Sequence, residues 1–282
     1  MKVFIVILHY GAVETTQKCI ASIFNVEKHF EKIIIINNDQ NIKLSERTFH
    51  QSTKKVQVIN SDKNLGFAAG VNVGIKKALE QKADAVLLVN NDTVLEKSIL
   101  DFLITVLKKE KNAGIFGPVI TYNKNGKLLY DLGGSINYLF GKTSHTEKEM
   151  VDKNDPRQVT YISGCCTLIK KEVFHEIGFF DEQFFLYYED VDFTLRASQK
   201  GFLSYVTPNA IIYHELTKAV GKLSPISVYH QTRSGILFGK KYAKSKTLNF
   251  GFLFLQSCLF FVKDKKAGVA AFNGLFDGLR KY

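Results

Sequence analysis

A chain of 282 residues, 45% hydrophobic and 12% aromatic, is long enough for one large α/β domain and has the composition of a folded protein. Four prolines and no low-complexity tract exclude a disordered linker. The formal net charge of +11 suits nucleic acid, anionic lipid or phosphorylated small molecules. The basic residues are densest after residue 239, beside a very apolar segment, and do not interleave with aromatics as in single-strand binders. That distribution favours lipid over nucleic acid.

Taken in chain order, residues 1–8 are too short for a secretory core, lack a small-residue cleavage site and run straight into a helical pattern. They read as a buried strand. Up to about residue 120, short β-branched runs alternate with amphipathic stretches, the pattern of a mostly parallel sheet covered by helices. Strands are expected at 2–8, 32–37, 56–60, 85–90 and 115–121, and helices near 13–30, 67–81 and 96–109. Continuous apolar runs at 33–36 and 86–89 match strands buried on both faces.

Beyond 121 the pattern changes. Residues 122–138 read as a hairpin turning at Asn125-Gly126, and 141–157 as a polar loop. A strand at 159–162, helices at 170–177 and 189–200, and strands at 202–206 and 211–213 follow. Residues 216–282 read as a basic helical appendage on a domain spanning 1–215. Cys19, Cys165, Cys166 and Cys258 form neither a metal-spaced pair nor a disulfide framework, which suits a reducing compartment. Adjacent Cys165 and Cys166 are expected on opposite faces of a strand.

Three expected strands end in polar residues: His9-Tyr10, Asn37-Asn38-Asp39 and Asn90-Asn91-Asp92. Open α/β sheets bind ligands outside the carboxyl ends of their strands, so these groups gather at the functional edge. A carboxylate at a strand end, as at Asp92, can share Mg²⁺ or Mn²⁺ with diphosphate oxygens, or can cap the next helix. The segment 64–74, Asn-Leu-Gly-Phe-Ala-Ala-Gly-Val-Asn-Val-Gly, opens a helix after a strand. Its backbone N–H groups could face an anion, or its small residues could let the helix pack closely. In 179–192, acidic residues stand beside a dense aromatic cluster at a helix start, where an ionised carboxylate is stabilised and can act as a general base. The plainer alternative is capping by Glu189 and Asp190, with Asp192 exposed. His214 closes a later strand and could complete a site with carboxylate and phosphate oxygens.

His9-Tyr10, the segment 64–74, Asn90-Asn91-Asp92, Tyr161-Ile162-Ser163-Gly164, the block 178–196 and His214 together resemble the family 2 inverting glycosyltransferases of GT-A fold. The likeness is nearest to their bacterial rhamnosyltransferase-like branch and covers roughly residues 3–240. It implies an α/β GT-A domain that takes a sugar from a nucleotide-diphosphate donor, dTDP-rhamnose before a UDP-hexose. The implied acceptor is a glycan or polyprenyl-diphosphate-linked saccharide of surface polysaccharide synthesis. It implies that Asn90-Asn91-Asp92 stands at the Asp-x-Asp motif, with Asp92 binding Mn²⁺ or Mg²⁺, Asn90 near the ribose or a metal-bound water, and His214 joining the metal. Tyr10, Asn37, Asp39 and Asn64 fall where base and ribose are held, and His9, Gly66, Asn72 and Asn91 group with them as nucleotide-binding residues. Asp190 matches the catalytic base with Glu189 assisting, and Arg233 falls in a basic segment that touches the diphosphate.

Two departures stand out. Asn90 replaces the first Asp and removes one negative charge from the metal site, and Asn37 replaces an Asp often found after the second strand. The missing Asp leaves open a catalytically silent nucleotide-sugar-binding subunit. The apolar segment 248–262, flanked by lysines, is shorter than the roughly 20 residues a spanning helix needs. It suits a peripheral contact with the inner face of the cell membrane, packing on the catalytic domain, or a homodimer contact.

Overall fold

The computed structural model describes residues 1–49, 53–110, 112–150, 156–215 and 224–280. Strands β1 (Val3–His9), β2 (Lys32–Asn37), β3 (Val56–Asn60) and β4 (Ala85–Asn90) pair in parallel in the order β3-β2-β1-β4. Three of them keep the bounds expected from their apolar runs, and β1 is shifted by one residue. Alternation explains why those runs are unbroken. Val3, Ile5 and Ile7 enter one core with Cys19, Ile20 and Ile23 of helix α1 (Val13–Val26). Phe4 and Val6 enter the other with Ala68, Val71 and Ile75 of α2 (Gly66–Glu80).

Helix α1 stops four residues before the expected end because Glu27 is used elsewhere. Its buried carboxylate accepts the backbone N–H groups of Ile99 at 2.6 Å and Leu100 at 3.2 Å, capping α3 (Leu100–Lys109). Helix α3 starts later than expected because Thr93–Val94 form a short strand, β5.

The sheet continues through β6 (Ala113–Lys124) and β11 (Leu203–His214), parallel to each other, with β5 antiparallel at the edge. The expected pair of strands at 202–206 and 211–213 is the single strand β11, with a register shift between Thr207 and Ile211. Between β4 and β6 lies β10 (Cys166–Lys170), antiparallel to both and absent from the sequence reading. The sheet is therefore mixed at its centre. Cys165 sits in the turn before β10, so strand alternation does not apply to it, and both adjacent cysteines are buried in the same core.

The hairpin turning at Asn125-Gly126 forms between β6 and β7 (Lys127–Asn137). Much of the expected loop at 141–157 is instead β8 (Lys142–Lys148), antiparallel to β7; residues 151–155 lie outside the described residues. Its side chains are mostly polar and exposed, so no apolar alternation marks it. The strand expected at 159–162 is β9 (Arg157–Val159) followed by a single bridge from Tyr161 to Gly134.

Helices α4 (Lys171–Ile177) and α5 (Glu189–Gln199) precede β11. The last helices are α6 (Pro225–Tyr242), α7 (Lys246–Lys263) and α8 (Lys265–Arg280). Helix α6, expected in the appendage, packs on α5. Asp192 of α5, 0% exposed, meets Arg196 at 2.8 Å, Lys241 of α6, and the Tyr242 hydroxyl at 2.7 Å. The plainer alternative, which left Asp192 exposed, does not hold: a carboxylate this deep must be paired.

Two glycines let α2 approach β1. A Cβ at Gly70 would stand 2.5 Å from Leu8 Cδ1, and one at Gly74 would stand 2.4 Å from Val6 Cγ1. Gly74→Ala is expected to destabilise the protein by about 1–3 kcal/mol through overpacking, read as a lowered thermal midpoint; an unchanged midpoint would show that the interface yields freely.

Candidate functional site

The carboxyl ends of β1, β4 and β11 and the turn before β10 meet along one edge of the sheet, opposite the start of α5. Between them is a cavity of about 540 Å³ whose lining includes Asn90, Ser163, Gly164, Cys165, Tyr187, Tyr188, Glu189, Asp190, His214 and Gln231. Tyr122, Asp131, Thr143, His145 and Glu147 close it from β6, β7 and β8.

Asp190 is held by two backbone donors. Gly164 N–H reaches one carboxylate oxygen at 2.8 Å and Val191 N–H the other, also at 2.8 Å. Burial raises its pKa above the ordinary carboxylate value, while the Gly164 N–H, His145 and the Val191 N–H pull it back toward ionisation. Neighbouring Glu189 is 6% exposed and one of its oxygens lacks a hydrogen-bond partner. Burial and the adjacent Asp190 push its pKa well up. Of the two, Glu189 is pushed further toward its protonated form.

The turn that presents this pair is strained. Tyr187 and Tyr188 adopt φ values of 67° and 69°, a left-handed conformation that costs a non-glycine residue roughly 1–2 kcal/mol. Helix α6 offsets the strain. Ser227 Oγ lies 2.6 Å from the Tyr187 hydroxyl, Ser234 Oγ donates to Leu186 O at 2.8 Å, and Phe238 packs on the Tyr188 ring at 5.1 Å.

On the sheet edge, Asp92 Oδ1 lies 3.0 Å from His214 Nε2, and Glu215 N–H donates to Asp92 O at 2.9 Å. Burial opposes a charge on His214, but the Cys165 sulfur and the Asp92 carboxylate override it and push its pKa up to about 11. The Asp92 carboxylate oxygen suits Mn²⁺ or Mg²⁺, and the His214 nitrogen could join it only by giving up its proton as the cation binds. Among the described residues no cluster of three metal-ligating side chains occurs, so water and ligand oxygens would fill the remaining positions.

The other expected residues divide. Tyr10 is 52% exposed at the edge, and its carbonyl accepts from Asn91 Nδ2 at 3.2 Å. Asn91 also reaches Thr16 Oγ1 at 3.0 Å, which bonds the buried His9 ring at 2.6 Å, so His9 and Asn91 brace the first two loops. Burial lowers the His9 pKa, against the pull of Asp39. Asn37 is buried and holds the 38–44 loop through Ile42 O and Asn60 Oδ1, both at 2.8 Å. The carboxylate of Asp39 accepts the Asn41 N–H at 3.0 Å. Asn64 accepts the Gly66 N–H at 2.9 Å, and Phe67 N–H donates to Phe185 O at 2.7 Å. Those two N–H groups at the start of α2 are thus occupied by protein, which overturns their expected use as an anion cradle. Gly66 has φ +80°, and a Cβ there would meet Phe185 O at 2.4 Å.

Asn72 and Arg233 leave the site. Asn72 is 1% exposed and its amide is consumed by Phe180 N, Phe180 O and Glu182. Arg233 donates to Gln183 O at 2.9 Å and lines a separate cavity with Tyr229 and Asp277. Residues two apart on a helix point away from each other, and it is Gln231 that faces the main cavity. Gln231, His145 and Asp131 were not found from sequence: the first is hidden by that two-residue offset, the others by the polar character of their hairpin.

A profile of the family described as "Glycosyltransferase like family 2" matches residues 2–233. The chain belongs to that family. Among relatives of this family 2 chain, the N-acetylglucosaminyl-diphospho-decaprenol L-rhamnosyltransferase of Mycobacterium tuberculosis is 26% identical over 205 residues. That match covers 64% of this chain and 66% of the relative, just under two thirds of its length. The dTDP-rhamnosyl transferase RfbF of Shigella flexneri is 27% identical over 217 residues, 74% of this chain and 71% of the relative. GalNAc-T7, solved with UDP, GalNAc and Mn²⁺, superposes with a TM-score of 0.69 at 12% identity, covering 99% of this chain and 56% of that one. The mannosyltransferase PcManGT from Pyrobaculum calidifontis, solved with GDP-Man and Mn²⁺, gives 0.58 at 9% identity, covering 100% and 76%. These likenesses establish the GT-A fold. In this family 2 chain, Asp92→Ala is expected to abolish any gain in nucleoside-diphosphate affinity that Mn²⁺ brings, read by calorimetry with and without the ion. An equal gain in the variant would remove Asp92 as a ligand.

Proposed function

We propose that this chain is an inverting glycosyltransferase that moves a sugar from a nucleotide-diphosphate donor to a glycan or polyprenyl-diphosphate-linked acceptor. The observation that carries the reading is one cavity lined both by Asn90 and His214, beside Asp92, and by Glu189 and Asp190. A leaving group at the sheet edge and a proton acceptor at the start of α5 can then flank one sugar carbon. The rhamnosyltransferase relatives make dTDP-rhamnose the first donor to try, ahead of UDP-hexoses.

The charge of the cavity supports a metal-dependent donor. Its lining includes Asp131, Glu147, Glu189 and Asp190, and among the described residues no lysine or arginine. A diphosphate entering these surroundings needs a counter-charge. Mn²⁺ or Mg²⁺ held by Asp92 and His214 would supply it and offset charge building on the departing nucleoside diphosphate. Asn90 in place of an acidic residue makes that binding depend more on the donor's own oxygens.

In the transfer, Asp190 accepts the proton of the acceptor hydroxyl as that oxygen bonds to the anomeric carbon. The bond from that carbon to the diphosphate oxygen breaks on the opposite face, so one displacement inverts the configuration. Glu189, pushed toward its protonated form, lessens the repulsion that a second charge at the α5 start would bring. The Gly164 and Val191 N–H groups fix the direction of the Asp190 carboxylate.

Helix α7 supports a membrane location. It is inside out: Asn249, Leu253 and Ser257 are buried, while Leu255 (65%), Leu259 (62%) and Val262 (83%) are exposed. Phe276 and Leu279 of α8 are also exposed, and Lys263, Lys265 and Lys266 flank the α7–α8 junction. Among the described residues no helix is long and apolar enough to cross a membrane. Apolar exposure with a lysine fringe fits the interface of an anionic leaflet, the cytoplasmic face where lipid-linked acceptors could be met.

Two experiments test the reading. The nucleotide sugar that most raises the thermal midpoint with Mn²⁺ identifies the donor. With it, Asp190→Asn is expected to retain donor binding and lose at least about 100-fold in turnover; near-normal turnover would remove Asp190 from the role. In flotation with anionic liposomes, the full chain is expected to rise with the vesicles and the Leu255→Glu/Leu259→Glu variant to stay behind. Equal flotation of both would exclude this face as the contact.

A further inference from the structure

The reading above leaves one feature of the cavity unused: the ion pair on the β7–β8 hairpin. Asp131 is 6% exposed in β7, with one oxygen accepting the Gly133 N–H at 2.9 Å and the other 2.7 Å from His145 Nδ1 of β8. The register between the strands shifts at this point, between Asp131 and Gly134. The His145 ring is further fixed edge-on to Tyr161, centroids 5.4 Å apart, and Tyr161 precedes the turn whose Gly164 N–H holds Asp190. His145 and Asp190 line the same cavity. A buried carboxylate and an aromatic ring thus aim an otherwise half-exposed imidazole.

We propose that His145, clamped by Asp131, is a positioning residue for the transfer: its imidazolium, presented by the hairpin, keeps the Asp190 carboxylate charged inside the cavity. The role rests on Asp190 being the proton acceptor proposed above. The groups facing Asp190 among the described residues explain why a cation is needed. Glu189 adjoins it on α5, and Asp131, Glu147, Tyr161 and Tyr188 line the same cavity. Glu147 is already bonded to Lys124 at 2.6 Å and to the Tyr122 hydroxyl, and His214 is engaged by Asp92. His145, bonded to Asp131, also lines the cavity it shares with Asp190, so one imidazolium can serve both carboxylates. Burial opposes a charge on His145, but the hydrogen bond it donates to Asp131 and the carboxylates of Asp131, Asp190 and Glu147 outweigh it, so the imidazole is protonated more readily than usual. An opposite charge nearby favours the ionised carboxylate, so removing it must move the Asp190 titration upward.

The test needs no substrate. In full-length protein with ¹³C-labelled aspartate carboxyls, the Asp190 signal is assigned by its loss in Asp190→Asn and titrated by NMR. His145→Gln is expected to raise the Asp190 midpoint by roughly 1 pH unit, and His145→Lys, which restores a cation, to return it toward the starting value. The coupling is reciprocal, so the His145 midpoint should fall by the same amount in Asp190→Asn. This second measurement also decides the matter if the His145 variants do not fold. Unmoved midpoints in folded variants overturn the role of His145. They would leave the proposed function intact, because that stands or falls on the turnover of Asp190→Asn.

Discussion

One carboxylate joins the two halves of this molecule. Asp190 receives Gly164 N–H from the turn before the central antiparallel strand and Val191 N–H from its own helix. The side chain is thereby a tie between sheet and helix as well as a chemical group. A carboxylate with both oxygens bonded to backbone cannot swing away, and a group taken out of water without such donors would give up its charge. The strained Tyr187–Tyr188 turn is what brings it there, and α6 is what keeps that turn in place.

The charge distribution follows a division of labour. The chain carries a formal charge of +11, yet the described lining of its main cavity holds carboxylates and histidines without lysine or arginine. The basic surplus lies outside, much of it on the last helices. A cavity poor in lysine and arginine gives a phosphorylated molecule little counter-charge of its own. The surplus outside is free to act over longer distances on whatever anionic surface the chain meets.

Much of the fold was legible in the sequence because burial on both sides leaves an unbroken apolar run. Residues 32–37, 56–60 and 85–90 announced themselves in that way and kept their bounds. The strands that escaped notice lack that signal: β8 is polar on an exposed hairpin, and β10 has only five residues beside two cysteines and a short helix. In the candidate site, residues at strand ends were found because parallel sheets place ligands there, and Asn90, Asp92, Glu189, Asp190 and His214 do gather at one edge. Polarity alone could not separate ligand-facing amides from structural ones. Asn37 and Asn72 turned out to be braces, a distinction set by partners such as Ile42 O and Phe180 O that lie outside any local motif. Arg233 was misplaced by helical phase, which is visible only once the helix is docked.

The burial of Asp192 has a consequence for how the chain matures. Its partners Lys241 and Tyr242 lie beyond residue 233, where the family match ends. A polypeptide cut at that boundary would keep the whole family match and leave Asp192 with Arg196 as a partner, but without the end of α6 that covers it. During synthesis Asp192 therefore emerges well before Lys241 and Tyr242, which complete its set of partners. The interior around Asp192 closes only when the last turn of α6 has folded back, so the latest part of that helix to be made completes the packing on α5.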